Sequence, residues 1–289
     1  MPARFWTLLY VMCAVLPARA STLVPVVAAE RVYGSVAEAI GGSQVRVTSI
    51  LRSPVQDPHV FEPNPSAARA VAEARLVIVN GAGYDAWMDL LLGAGGEAGR
   101  QVIRVAALAQ AGPGTNPHLW YSTATMRLVA RAIAEDLGRL DPGAAPAFDA
   151  AEVRLMASLG GLDARIAAMR ARYHGVAVAA TEPVFGPMLT ALGLTVRDMR
   201  FEVSVMNGTE PRASDIAAVE ADLRGHKVRA LLFNAQVSNA ATYRLVDIAR
   251  RAGVPVVGVT ESLPDGQDYT GWMLSELNTL DAALASARP

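Results

Sequence analysis

Apolar strand-like runs alternate with helix-like runs twice over, on either side of a stretch with no strand-like run, and this pattern constrains the fold more than anything else in the chain. In the first half, residues 23–28, 45–51, 76–80 and 102–106 read as strands. Helical patterns lie between them over about 30–40, from Asn64-Pro65-Ser66 to about 74, and over 84–92. The second half repeats the scheme, with strands at 176–180, 195–201, 228–234 and 255–259 and helices at 185–192, 213–224, 239–252 and 269–285. Strands that are apolar throughout, alternating with helices, indicate a mostly parallel sheet covered on both faces. Between the halves, Pro142 to Tyr173 reads as one long helix, weakest at Gly160-Gly161, and ended by His174-Gly175 with glycine suited to the left-handed cap. Some thirty residues are too many for a crossover inside one lobe. The expected fold is therefore α/β: an N-terminal lobe over 21–141, a spine helix over 142–174, and a C-terminal lobe over 175–289.

The first twenty residues stand outside this scheme. Arg4 supplies a basic start, an apolar run extends from Phe5 to Leu16, and Ala18-Arg19-Ala20 offers the small residues read by signal peptidase. The run is shorter than the roughly 20 residues a membrane span needs. We expect residues 1–20 to be a cleaved signal peptide and the mature chain to be exported to the periplasm. Cleavage removes Cys13, the single cysteine, so the mature chain can form neither a disulfide nor a thiolate site. It also removes Arg4 and Arg19, which moves the formal net charge from −1 to −3. A slightly acidic chain without a basic run argues against nucleic acid as a partner.

Two of the four histidines occupy near-copies of one frame, Asp57-Pro58-His59 and Asn116-Pro117-His118, each beyond a strand. Proline fixes its own φ and pushes the preceding residue out of the helical region, so each frame is a stiff, extended turn. Such a turn holds an imidazole in one orientation, as a metal ion requires. A lone loop histidine is ordinarily solvated; the repeated frame is what points to ligation. His174 has a simpler role at a helix C-terminus, and His226 reads as a solvated loop residue.

Ligands of open α/β sheets bind beyond the carboxyl ends of the strands. Glu182 and Glu261 follow strands in the second half as the two histidines do in the first. Two neutral imidazoles and two carboxylates would neutralise a divalent cation, which makes their joint burial in a cleft reasonable. Without thiolates the donors are nitrogen and oxygen only.

These segments resemble the periplasmic zinc- and manganese-binding proteins of metal ABC importers, substrate-binding proteins with a rigid helical spine. Asp57-Pro58-His59 through Pro65-Ser66 is similar to the family's first-ligand motif, and Asn116-Pro117-His118-Leu119-Trp120 to its second, with Asn116 where Asp is commoner. Glu182-Pro183-Val184-Phe185-Gly186 aligns where zinc-type members carry His and manganese-type members Glu. Val257 to Ser262, with Tyr269 and Trp272-Met273, is similar to the last motif, with Glu261 where Asp is commoner. The resemblance implies a metal site of His59, His118, Glu182 and Glu261, taking Mn2+ or Zn2+, with Fe2+ also compatible, as transported cargo. It further implies a monomeric binding protein, not an enzyme, that serves a membrane permease. Asn207, Glu210, Asn234 and Gln236 fall in loops that would face such a cleft. Two other functions compete: a metal-dependent hydrolase, which the fourth protein donor disfavours, and a metal-binding adhesin of the same fold. A siderophore or cobalamin binder would want an aromatic- and Arg-lined cleft, and aromatic residues make up only 6% of the chain.

Overall fold

The computed structural model describes residues 23–52, 61–94, 99–236 and 240–286. The expected signal peptide and the His59 frame lie outside these residues. In the first lobe, β1 (Val24–Glu30), α1 (Arg31–Gly41), β2 (Val45–Leu51), α2 (Pro65–Glu73), β3 (Leu76–Val79), α3 (Trp87–Ala94) and β4 (Gln101–Arg104) follow one another. The four strands are parallel in the order β2-β1-β3-β4. Asn64 starts α2: its side-chain oxygen accepts from Ala67 N–H at 2.9 Å, and Pro65 takes a position whose N–H needs no partner.

The chain then departs from simple alternation. Val105 and Ala106, read as the end of a strand, begin the short helix α4 (Val105–Leu108). After the His118 turn comes α5 (Thr123–Leu140), a helix the strand alternation does not foretell. Ser122 caps it by accepting from Thr125 N–H, and Met126, Val129, Ala130, Ile133, Ala134 and Leu137 form its buried stripe. The spine is α6 (Ala145–Tyr173), which runs unbroken through Gly160-Gly161. Those glycines face solvent, and each costs about 1 kcal/mol of helix propensity relative to Ala. Fully buried Leu159 and Leu162 on either side anchor the turn.

The second lobe comprises β5 (Ala177–Ala180), α7 (Gly186–Leu192), β6 (Thr195–Arg197), α8 (Met199–Met206), α9 (Ala213–Arg224), β7 (Leu231–Asn234), α10 (Ala240–Ala252), β8 (Val256–Val259) and α11 (Tyr269–Ser286). Its sheet is parallel in the order β6-β5-β7-β8, the topology of the first lobe again. Residues 198–201, read as strand, turn into α8 because Asp198 adopts a left-handed φ of 61° and ends β6. Phe201 is then buried from a helix rather than from an edge strand.

One apolar core runs through both lobes. It joins Tyr33 and Ile40 of α1, the α5 stripe, Leu162 and Met169 of the spine, Leu189 of α7 and Trp272 and Leu280 of α11. Separate clusters cover the outer face of each sheet. Arg165 of the spine bonds Asp281 of α11 at 2.7 Å, and Tyr173 hydroxyl donates to the same carboxylate at 2.6 Å. No helix among the described residues is long and apolar enough to cross a membrane. Because the core clusters among the described residues are built from apolar side chains, metal removal should leave the fold intact, unlike small zinc domains that unfold without metal. Far-UV circular dichroism in EDTA is expected to match that of the loaded protein, with a lower melting temperature as linkage requires. A coil-like spectrum in EDTA would contradict this.

Candidate metal centre

In each sheet the strand order reverses beside the first strand, between β1 and β3 and between β5 and β7, and a crevice opens above the strands' carboxyl ends. The two crevices face each other. His118 enters from the first lobe on the turn before α5 and is 1% exposed. Asn116 fixes it: the Asn116 side-chain oxygen accepts from His118 N–H at 3.0 Å and lies 2.7 Å from Nδ1. An amide oxygen can only accept, so Nδ1 carries the hydrogen and Nε2 presents its lone pair to the cleft. The Asn116 amide nitrogen donates across the lobes to Pro183 O at 2.6 Å, one residue beyond Glu182. That contact depends on Gly186, where an added Cβ would sit 2.6 Å from the Asn116 amide nitrogen.

The carboxylates come from the second lobe. Glu182 follows β5 and is 9% exposed; Glu261 follows β8. Asn234, at the end of β7 and buried, donates its amide to Glu182 Oε2 at 3.1 Å and to Glu261 Oε2 at 2.9 Å. Glu261 Oε1 lies 3.2 Å from His118 Nε2 and accepts from Tyr84 hydroxyl at 2.9 Å. Two donors about 3 Å apart have the spacing of neighbouring ligands on an ion with bonds of roughly 2 Å. Gln236 clamps the Glu261 turn, accepting from Glu261 N–H at 2.7 Å and Ser262 N–H at 2.9 Å.

His118, Glu182 and Glu261 are thus gathered around Asn234, and His59 lies outside the described residues. Among the described residues no three His, Cys, Asp or Glu side chains already close around a single ion. Of the four polar loop residues expected near the cleft, Asn234 and Gln236 hold the carboxylates, whereas Asn207 and Glu210 are exposed beyond α8. His174 caps the spine helix and exposed His226 sits in the turn after α9, as read from sequence.

The sequence reading missed Tyr84 and the buried polar floor beneath it. Asp85 accepts from Asn80 and Gly81 N–H at 2.7 Å each, shaping a turn in which Gly81, Ala82 and Gly83 all have positive φ. Burial pushes the Glu30 carboxyl at the end of β1 well above the usual range, and the Asp85 charge beside it pushes the same way. Burial also raises Asp85. The Gly81-Ala82-Gly83 turn directly after an apolar strand was the available signal.

Asn116 orients the candidate imidazole of His118. Asn116→Ala is expected to weaken metal binding by about 10- to 100-fold, the usual cost of losing a group that orients a ligand. Isothermal titration would show it, and unchanged affinity would exclude this role.

Two parallel sheets of identical strand order, joined by a long helix and facing each other across imidazole and carboxylate donors, define a two-lobed substrate-binding protein of the spine type. The chain belongs to the ZnuA family, zinc-uptake complex component A, periplasmic, whose model matches residues 26–283. The manganese-binding lipoprotein MntA of Halalkalibacterium halodurans is 31% identical over 123 residues, a match spanning 40% of either chain. Among solved structures, the periplasmic zinc-binding protein TroA of Treponema pallidum superposes with a TM-score of 0.77 at 19% identity, covering 92% of this chain and all of that one. FpvC of Pseudomonas aeruginosa in complex with Mn2+ gives 0.75 at 22% identity, covering 91% and 99%.

Proposed function

We propose that the protein captures a divalent transition-metal ion between its lobes in the periplasm and delivers it to the membrane permease of an ABC importer. The observation that carries this reading is the shared amide of Asn234, which aims two carboxylates from the second lobe at the face where His118 Nε2 stands. Negative charge buried without a cation is costly, and a divalent ion would neutralise both carboxylates. Membership of an uptake-complex family supports the delivery role, and relatives described as binding manganese or zinc support the choice of ion class.

In this reading His59, His118, Glu182 and Glu261 are the ligands, the first twenty residues direct export, and the protein acts as a monomer without catalysing a reaction. On a four-coordinate ion such as zinc, four protein donors leave no position for a metal-bound water to attack a substrate, which sets the site apart from a hydrolytic centre. Native mass spectrometry with metal analysis of the protein as isolated tests the reading: one Mn, Zn or Fe ion per chain is expected, and a chain that takes up none of these ions would overturn it.

The donor set bears on which ion is held. A carboxylate at position 182 is harder than an imidazole and can bind through both oxygens, which favours manganese or ferrous iron relative to an all-histidine site. Zinc still stands above manganese in the Irving–Williams order, so the ratio of affinities is the informative quantity. Glu182→His is expected to shift that ratio toward zinc and Glu182→Ala to weaken both ions. Competition titrations that return an unchanged ratio for Glu182→His would remove Glu182 as the selectivity determinant.

A further inference from the structure

Beneath the candidate ligands lies a second polar cluster that binds no cargo in the reading above. Glu276, on α11, is 7% exposed, and its carboxyl is surrounded. Oε1 accepts from Thr260 N–H at 2.8 Å, from Thr260 hydroxyl at 3.0 Å and from Trp272 Nε1–H at 2.9 Å. Oε2 lies 2.8 Å from the hydroxyl of Tyr121, which belongs to the other lobe. The same hydroxyl lies 2.5 Å from Thr260 O. Tyr121 is three residues beyond His118 and packs edge-on against Phe185 and near Trp272, with ring centroids at 4.8 and 5.5 Å. Thr260 immediately precedes Glu261. One hydroxyl therefore joins the turn that carries the candidate imidazole to the turn that carries the candidate carboxylate.

We infer that Glu276 and Tyr121 are positioning residues: together they fix the Thr260-Glu261 turn against the His118 turn and so set the spacing of two ligands drawn from opposite lobes. This inference rests on the proposed metal site. A neighbouring bond of the same kind, Tyr269 hydroxyl to Trp120 O at 2.7 Å, reinforces the strut, and the Arg165–Asp281 pair ties α11 to the spine. Ligand geometry is thereby referred to buried core residues and packed helices rather than to a free loop.

The hydrogen count selects the variants. Tyr121 has one hydrogen and faces two acceptors, so both contacts are satisfied when Glu276 Oε2 carries a hydrogen and donates to the Tyr121 oxygen while Tyr121 donates to Thr260 O. Burial raises the Glu276 carboxyl, consistent with that arrangement. Glutamine reproduces it, its amide taking the place of the protonated oxygen. Alanine at 276 removes the strut, and phenylalanine at 121 removes its central hydroxyl.

The test is metal affinity by competition titration for wild type, Glu276→Ala, Glu276→Gln, Tyr121→Phe and the Glu276→Ala/Tyr121→Phe double variant. Visible d–d spectra of the Co2+-loaded proteins report donor geometry independently of folding. Glu276→Ala and Tyr121→Phe are each expected to lose about 10- to 100-fold in affinity, as for groups that orient ligands, with altered cobalt bands. Glu276→Gln should recover affinity to within about threefold of wild type, and the double variant should lose no more than the worse single one, because both act through one contact. Wild-type affinity and cobalt bands in Tyr121→Phe, or losses that simply add, would overturn the inference even if Glu276→Ala fails to fold. A wild-type chain that binds no metal would instead overturn the proposed function.

Discussion

Replacing His118 by alanine is expected to weaken metal binding by more than about 100-fold, beyond the loss typical of a residue that only orients a ligand. His118 is the one imidazole the described residues place in the cleft, its tautomer set by Asn116 and its Nε2 directed at Glu261. Without it, an ion held by His59, Glu182 and Glu261 would keep both hard oxygen donors and lose one of the two nitrogens that suit zinc and other late ions best. Zinc affinity should accordingly fall further than manganese affinity. Calorimetric titration with both ions is the check, and an affinity within tenfold of wild type would remove His118 from the ligand set. The overall circular dichroism spectrum should stay native-like, since the His118 ring meets its aromatic neighbours Tyr84 and Trp120 edge-on, at centroid distances of 5.8 and 5.4 Å, and its polar partners Asn116 and Glu261 lie in turns rather than in helices or strands.

Trp120→Ala should show the largest loss of stability, roughly 3–5 kcal/mol, the range for a large aromatic deleted from a packed core. Trp120 is fully buried, with Tyr33, Tyr84, His118 and Tyr121 around it at centroid distances of 6.4, 5.0, 5.4 and 6.2 Å. It lies where the first lobe's core meets the candidate site, so the cavity would loosen both the Tyr84–His118 face and the Tyr269 contact to its carbonyl. At about 2–4 °C per kcal/mol for a chain approaching this size, metal-free protein should melt roughly 10 °C lower. Differential scanning calorimetry decides it, and a shift under about 3 °C would mean that the surroundings collapse to fill the space.

Much of this was legible in the residues because each half repeats one pattern. Continuous apolar strands announced parallel sheets, and both sheets proved to share one strand order. The spine was legible from length alone, and its end at His174-Gly175 from the left-handed glycine, whose φ is 80°. The α5 helix is not foretold by strand alternation, which assigns no element after the histidine frame, although Met126, Val129, Ile133 and Leu137 carry its period. The 198–201 segment was misread because the choice between strand and helix there rests on the left-handed backbone of Asp198, which no apolar period reveals.

The candidate site was legible as a set of donors and not as a geometry. His118, Glu182 and Glu261 each follow a strand, which sequence shows. That Asn234 would bridge both carboxylates depends on β7 lying between β5 and β8, a fact of sheet order. Tyr84 and Glu276 were invisible for a related reason. Each contacts residues far away in sequence, and a Tyr after a glycine turn or a Glu at helical spacing reads as ordinary surface until the lobes are placed face to face.

The central claim is that one ion binds between the lobes to donors from both. Anomalous diffraction from crystals of the protein loaded with Mn2+ or Zn2+, recorded on either side of the metal edge, tests it most directly. The account predicts a single peak at roughly 2.0–2.2 Å from His118 Nε2, from the His59 imidazole and from carboxylate oxygens of Glu182 and Glu261. A peak elsewhere on the molecule, or any two of these four groups more than about 8 Å apart in the loaded protein, would contradict it, because bonds of about 2 Å cannot span that gap.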